Sequence, residues 1–168
     1  LIDPSNRTLS CALVSTEGMA VFEAVSGPDG LAVSRALPPL DSMDFARNMM
    51  NDIELIFLAP KEAPGVKGVL AGGQEVCRYQ EHDGWIDVVA GPDGMIRIRR
   101  YSKGGSLKRG VTLSGGRMNP YSAIELQASE MFKYTLVMTL IESEKVQDES
   151  TRKDERKGPI HEKPDSGK

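Results

Sequence analysis

An α+β fold, mainly β, is what this chain of 168 residues predicts, and three observations lead there. Short runs alternate apolar and polar residues with period two and are separated by Gly, Pro and Asp. A single segment, after Pro38 and Pro39, repeats its apolar residues at helical spacing instead. The stretch GPDG occurs at 27–30 and again at 91–94, each time between alternating runs. The expected architecture is a curved antiparallel sheet, an incomplete barrel, with one amphipathic helix packed on its concave face.

The alternation predicts strands over 8–15, 18–25, 31–37, 74–81, 85–90, 95–102, 106–114, 121–128 and 132–141. The last has the plainest pattern. Phe132, Tyr134, Leu136, Met138 and Leu140 share one face, and Lys133, Thr135 and Thr139 take the other, so one face is expected to be buried and one wet. Between the third and fourth runs lies DSMDFARNMMNDIELIF, residues 41–57, with Asp41 as the expected N-cap and Asp44 in the first turn. Phe45, Met49, Ile53 and Phe57 recur every four residues there, with Met50 and Ile56 beside them. The end of this helix is open, because ELIFL also reads as the start of a strand, before APKEAPG closes the segment.

VSGPDGLAVSR (25–35) and VAGPDGMIRIR (89–99) agree at six of eleven positions. Pro pre-sets the first turn position, Asp suits the second, and Gly accepts the left-handed conformation, which together predict a three-residue hairpin loop with a bulge. A phosphate-binding loop requires a helix to follow, and strands follow here. Outside the eleven residues the likeness fades, so the pair is read as turn chemistry used twice.

The composition, 39% apolar and 27% charged, is that of a globular chain, although aromatics are only 5% and there are eight Met. No run approaches the roughly 18 apolar residues of a membrane span. A net charge of -3 gives no overall push toward nucleic acid or anionic membranes. From about Lys145 onward acids and bases interleave with few apolar residues, which predicts disorder. The expected division is a folded domain over 1–142 and a charged tail over 143–168. The chain begins at Leu1, which reads as a processed product or as part of a longer one. Cys11 and Cys77 have no CxxC or His at metal spacing, and two buried thiols are favoured over a disulfide.

No HExxH, GxSxG or Walker loop is present, so neither an enzyme, a cofactor nor a metal site is expected. His82 lies at a hairpin tip, and Asp52 and Glu54 read as ordinary polar helix residues. Arg97, Arg99, Arg100, Lys103, Lys108 and Arg109 crowd into IRIRRYSKGGSLKRG, with Ile96 and Ile98 facing inward. Of these, Arg97, Arg99, Arg100 and Lys108 are the candidates to contact an acidic partner or a phosphate headgroup. Tyr101 stands alone among them, which argues against nucleic acid. The Met and aliphatic residues of the helix suit either an ordinary core or an irregular apolar ligand.

TLSCALVSTEGMAVFEAVSGPDG, with Gly18, Phe22 and Gly27 in its hairpin, is followed by a strand, a proline stop and a helix with Asp52 and Leu55. This order of parts, closed by FKYTLVMTLIE, resembles a family of bacterial outer-membrane lipoproteins related to LolB over roughly residues 8–141. The resemblance implies a LolA/LolB-like incomplete barrel with an apolar cavity under the helix. It puts the ligand site on Phe45, Met49, Ile53, Leu136 and Met138, with Phe57 next on the helix stripe. The protruding apolar loop of LolB has no counterpart in this chain. What the resemblance implies is a non-catalytic module that binds an acyl chain or a lipidated protein. It would be periplasmic and outer-membrane associated through a lipid anchor upstream. The alternative is a protein-interaction domain with a filled core, acting through its basic outer hairpin.

Overall fold

A computed structural model describes residues 1–115, 121–129 and 133–142, so the expected charged tail and Phe132 lie outside the described residues. The fold is α+β and mainly β. β1 (Ile2–Asp3), β2 (Thr8–Val14), β3 (Ala20–Gly27) and β4 (Gly30–Ala36) form a four-stranded antiparallel meander. After α1 (Met43–Phe57) come β5 (Val66–Val69), β6 (Glu75–Glu81), β7 (Gly84–Ala90), β8 (Ile96–Ser102), β9 (Leu107–Ser114), β10 (Ala123–Ala128) and β11 (Tyr134–Thr139). These seven pair in chain order as a second antiparallel sheet. Among the described residues the strands thus form two sheets on either side of the helical segment in the chain, and no closed barrel.

Period-two burial drives both sheets. In β3 the buried residues are Phe22 and Ala24, and in β9 they are Arg109, Val111 and Leu113. The helix starts one residue later than its acidic signal implies, because Ser42, not Asp41, is the N-cap, its Oγ accepting the Phe45 N–H at 3.1 Å. Such a cap stabilises by about 1 kcal/mol. ELIFL stays helical through Phe57. Leu58 is extended, though its N–H still donates to Glu54 O at 2.9 Å, and Pro60 bars continuation.

The second GPDG closes as expected: the Gly94 N–H donates to Gly91 O at 3.1 Å, the Gly91 N–H donates to Met95 O at 2.8 Å, and Gly94 has φ +80°. Turns 15–19, 70–74 and 102–106 use the same pair of hydrogen bonds. The first GPDG departs from the expectation: Gly27 pairs with Gly30 across a two-residue loop, Pro28 and Asp29. The repeated sequence therefore closes two different hairpin turns, and it is punctuation, not a duplicated site.

α1 divides the apolar interior. Phe45, Ala46, Met49, Met50 and Ile53 pack with Leu9, Phe22 and Ala24 of the four-stranded sheet. Leu55 and Ile56 pack with Ile86, Val111, Leu113 and Leu126 of the seven-stranded sheet. Cys11 and Cys77 are free, half-buried thiols in different sheets, and the Cys11 Sγ lies 4.0 Å from Met49 Sδ. Burial pushes the Cys11 thiol up from its usual range. No helix among the described residues is long and apolar enough to cross a membrane.

β11 corrects the sequence reading. It is an edge strand, and Leu136, expected inside, is 44% exposed. Alternation specifies which side a residue takes, but an edge strand has a neighbour on one side only.

Candidate binding cleft between the helix and the seven-stranded sheet

The register sorts the inner face of the larger sheet into rows. Cys77, Val88, Ile98, Val111, Leu126 and Leu136 pair across in one row; Ala90, Ile96, Leu113, Ile124 and Met138 make the next. On the opposite side of the first row, Tyr79, Ile86, Arg100, Arg109, Ala128 and Tyr134 form a third. Two rows are apolar, and the third brings two arginines onto the same face.

The helix covers only part of this surface. A cleft of about 890 Å³ remains, floored by Ile86, Val88, Ile96, Ile98 and Leu113, and walled by Leu55, Ile56, Phe57 and the loop Leu58–Glu62. Glu81, His82, Asp83, Arg100 and Lys108 edge it at the turn end of the strands, and Arg7 at the helix side. The Arg7 guanidinium holds that wall: Nη1 donates to Ala59 O and Nη2 to Glu54 Oε1, both at 2.8 Å. Glu54 is therefore a clasp between the helix and the β1–β2 turn, not merely a polar helix residue.

The expected site residues do not form this cleft together. Phe45, Met49 and Ile53 belong to the packed core against the smaller sheet, because the most obvious apolar stripe of the helix faces that way. Leu136 is on the exposed edge strand, and Met138 packs beside the larger core. Only Phe57, itself 46% exposed, lines the cleft. Among the expected headgroup contacts, Arg100 and Lys108 line it and Arg97 and Arg99 do not. Strand parity separates the arginines: Arg97 and Arg99 share the wet face with Asp87 and Val89, whereas Arg100 shares the inner face with Ile96 and Ile98. Lys108 lies beside the register shift between Arg100 and Tyr101, not on the inner-face alternation of β9. The basic ribbon is thus divided between two surfaces. Nor is Tyr101 without an aromatic neighbour, since it stacks on Trp85 at 5.4 Å, with Arg78 over the Trp85 ring at 4.9 Å.

A second polar feature joins the helix to the sheet. Asp52 and Arg109 are each 6% exposed, and the Arg109 Nε donates to Asp52 Oδ1 at 2.8 Å. The Tyr134 hydroxyl donates to the other carboxylate oxygen, and the guanidinium lies 6.0 Å from its ring centre. Nothing in the helical pattern marks Asp52 as buried; Arg109, alternating with Val111 and Leu113, was the available signal. Burial, with the Asp52 carboxylate beside it, pushes the Tyr134 hydroxyl up to about 12 from its usual 10.0.

That shift has a direction for stability. Because the folded pKa lies above the unfolded one, this contribution is whole below about pH 10 and is lost as pH rises toward about 12. Urea midpoints measured across that window are expected to fall less steeply for Tyr134→Phe than for the unaltered chain. Parallel slopes would show that Tyr134 does not carry the effect.

Among the described residues, no three His, Cys, Asp or Glu side chains gather as a metal site. Compared with family models, with curated proteins and with solved structures, the chain matches none.

Proposed function

We propose that the chain is a non-catalytic binding module that holds an apolar chain between its helix and its larger sheet. The carrying observation is the cleft: two adjacent rows of aliphatic side chains that α1 leaves partly uncovered, enclosing about 890 Å³. That volume is in the range of roughly 300–1,000 Å³ typical of small-molecule sites. Binding there draws on apolar burial, roughly 25 cal/mol per Å², and calls for no titratable group. The resemblance to LolB-related lipoproteins supports the same reading, with an acyl chain or a lipidated protein as ligand and a periplasmic, outer-membrane-associated setting.

Displacement of a fluorescent fatty acid tests it. Ile98→Trp fills the middle of the floor and is expected to abolish probe binding while lowering the unfolding free energy from urea titration by no more than about 1–3 kcal/mol. Met49→Glu, by contrast, strikes the other core and is expected to unfold the protein rather than to block the cleft. Absence of probe binding by the unaltered chain sinks the proposal. It would favour the second reading, an interaction domain acting through the wet face, where Arg97 and Arg99 lie on the same strand as Tyr101 of the Trp85–Tyr101 stack. As a control, Arg97→Glu with Arg99→Glu is expected to leave probe binding unchanged.

A further inference from the structure

We infer that the cleft also selects the head of its ligand: it takes an apolar chain ending in an oxygen group that only accepts hydrogen bonds, a carboxylate or an acyl ester, with Arg100 as the contact. This rests on the binding reading above and adds to it a direction and a head chemistry.

The direction comes from the rows. Along β8 the inner face runs Ile96, Ile98, Arg100, so apolar floor gives way to a guanidinium within four residues, about 13 Å of strand. Beyond Arg100 the β6–β7 and β8–β9 turns close that end together, the Lys103 N–H donating to Asp83 O at 3.0 Å. At the other end Ile96 pairs with Ala90 and Leu113, and among the described residues no charged side chain forms part of the floor there. A ligand lying along the strands therefore has its chain over Ile96, Ile98 and Val88 and its head at Arg100.

The head chemistry comes from donors. Arg100 Nη2 donates to Glu81 Oε1 at 2.9 Å, but its buried Nε meets no acceptor among the described residues. Across the cleft the Nε of Arg7 is in the same condition, with both of its other nitrogens engaged. Guanidinium nitrogens only donate, and a buried donor without an acceptor is costly. Arg100 lines the cleft with 22% of its side chain exposed, so a ligand oxygen meets the guanidinium at donors that Glu81 does not occupy. Because Glu81 already balances the Arg100 charge, recognition depends on the acceptor and not on net charge. An ester carbonyl therefore serves as a carboxylate does, whereas an ammonium head brings donors to donors.

The test uses the full chain, an uncharged apolar dye as reporter, and three competitors: dodecanoate, methyl dodecanoate and dodecylammonium. Both oxygen-headed competitors are expected to displace the dye at concentrations about tenfold lower than dodecylammonium. Arg100→Met, which keeps the unbranched stem and removes the guanidinium, is expected to erase that difference, each competitor being scored against the dye affinity of that variant. Glu81→Gln leaves Arg100 in place and is expected to preserve the preference, so the inference stays testable if the first variant does not fold. Equal or tighter binding of dodecylammonium overturns the inference while leaving the cleft a ligand site. Failure of the dye and all three competitors to bind overturns both readings.

Discussion

Replacing Asp52 by Leu is expected to cost about 3–5 kcal/mol, read as a lowered urea midpoint, because it removes a buried carboxylate that accepts from both the Arg109 guanidinium and the Tyr134 hydroxyl. The position explains the size. Asp52 is on the helix and Arg109 on β9, and the Arg109 Nε–Asp52 Oδ1 contact is 2.8 Å with both residues 6% exposed. Tyr134 of β11 donates to the second oxygen, so one carboxylate joins the helix to two strands of the larger sheet. An exposed pair on the same helix gives the comparison: Asp44 and Arg47, 2.9 Å apart in solvent, should lose no more than about 1 kcal/mol when Asp44 is replaced by Ala. The double variant Asp52→Leu with Arg109→Leu discriminates the cause. With two apolar side chains neither member of this pair is buried without the other, so much of the single-variant loss should return. A double variant as unstable as Asp52→Leu alone would mean that lost packing, not the broken ion pair, sets the cost.

The sequence carried the fold further than the site, for reasons visible in particular residues. Alternation alone located β9, where Val111 and Leu113 are buried in step, and β3, where Phe22 and Ala24 are. It missed β1, which is only two residues long, and β5, where Val66 to Val69 are all exposed and no burial rhythm exists. It misjudged β11 because Leu136 and Leu126 are partners on one face, yet only the inner strand of the two is covered.

The site was harder, since it depends on which helix face meets which sheet. Phe45, Met49 and Ile53 form the more regular stripe and suggest the ligand side, but that stripe fills the smaller core. The cleft belongs to the neighbouring face, marked only by Leu55 and Ile56. Asp52, between these faces, looks like any polar helix residue because its partner is 57 residues away. Parity along β8 and β9 did carry a usable signal. Counting in twos from Ile96 and from Leu113 places Arg100 and Arg109 inside, which separates them from Arg97 and Arg99 before any contact is known.

Phe22→Ala is the other large effect, and it tests the division of the interior by the helix. Phe22 is 0% exposed and meets Phe45 edge to face at 5.5 Å, so truncation removes the centre of the core shared by α1 and the smaller sheet. A loss of about 3–5 kcal/mol in urea unfolding is expected, as for other buried Phe→Ala changes. Leu136→Ala, at a position 44% exposed on the edge strand, should cost distinctly less. Under native conditions, dye affinity of the folded Phe22→Ala protein should match that of the unaltered chain, because none of the cleft's floor comes from the smaller sheet. If affinity instead fell while the midpoint barely moved, the ligand would lie against the Phe45–Met49–Ile53 stripe after all. The helix would then present its binding face to the four-stranded sheet, and the cleft over Ile98 would be an unused surface.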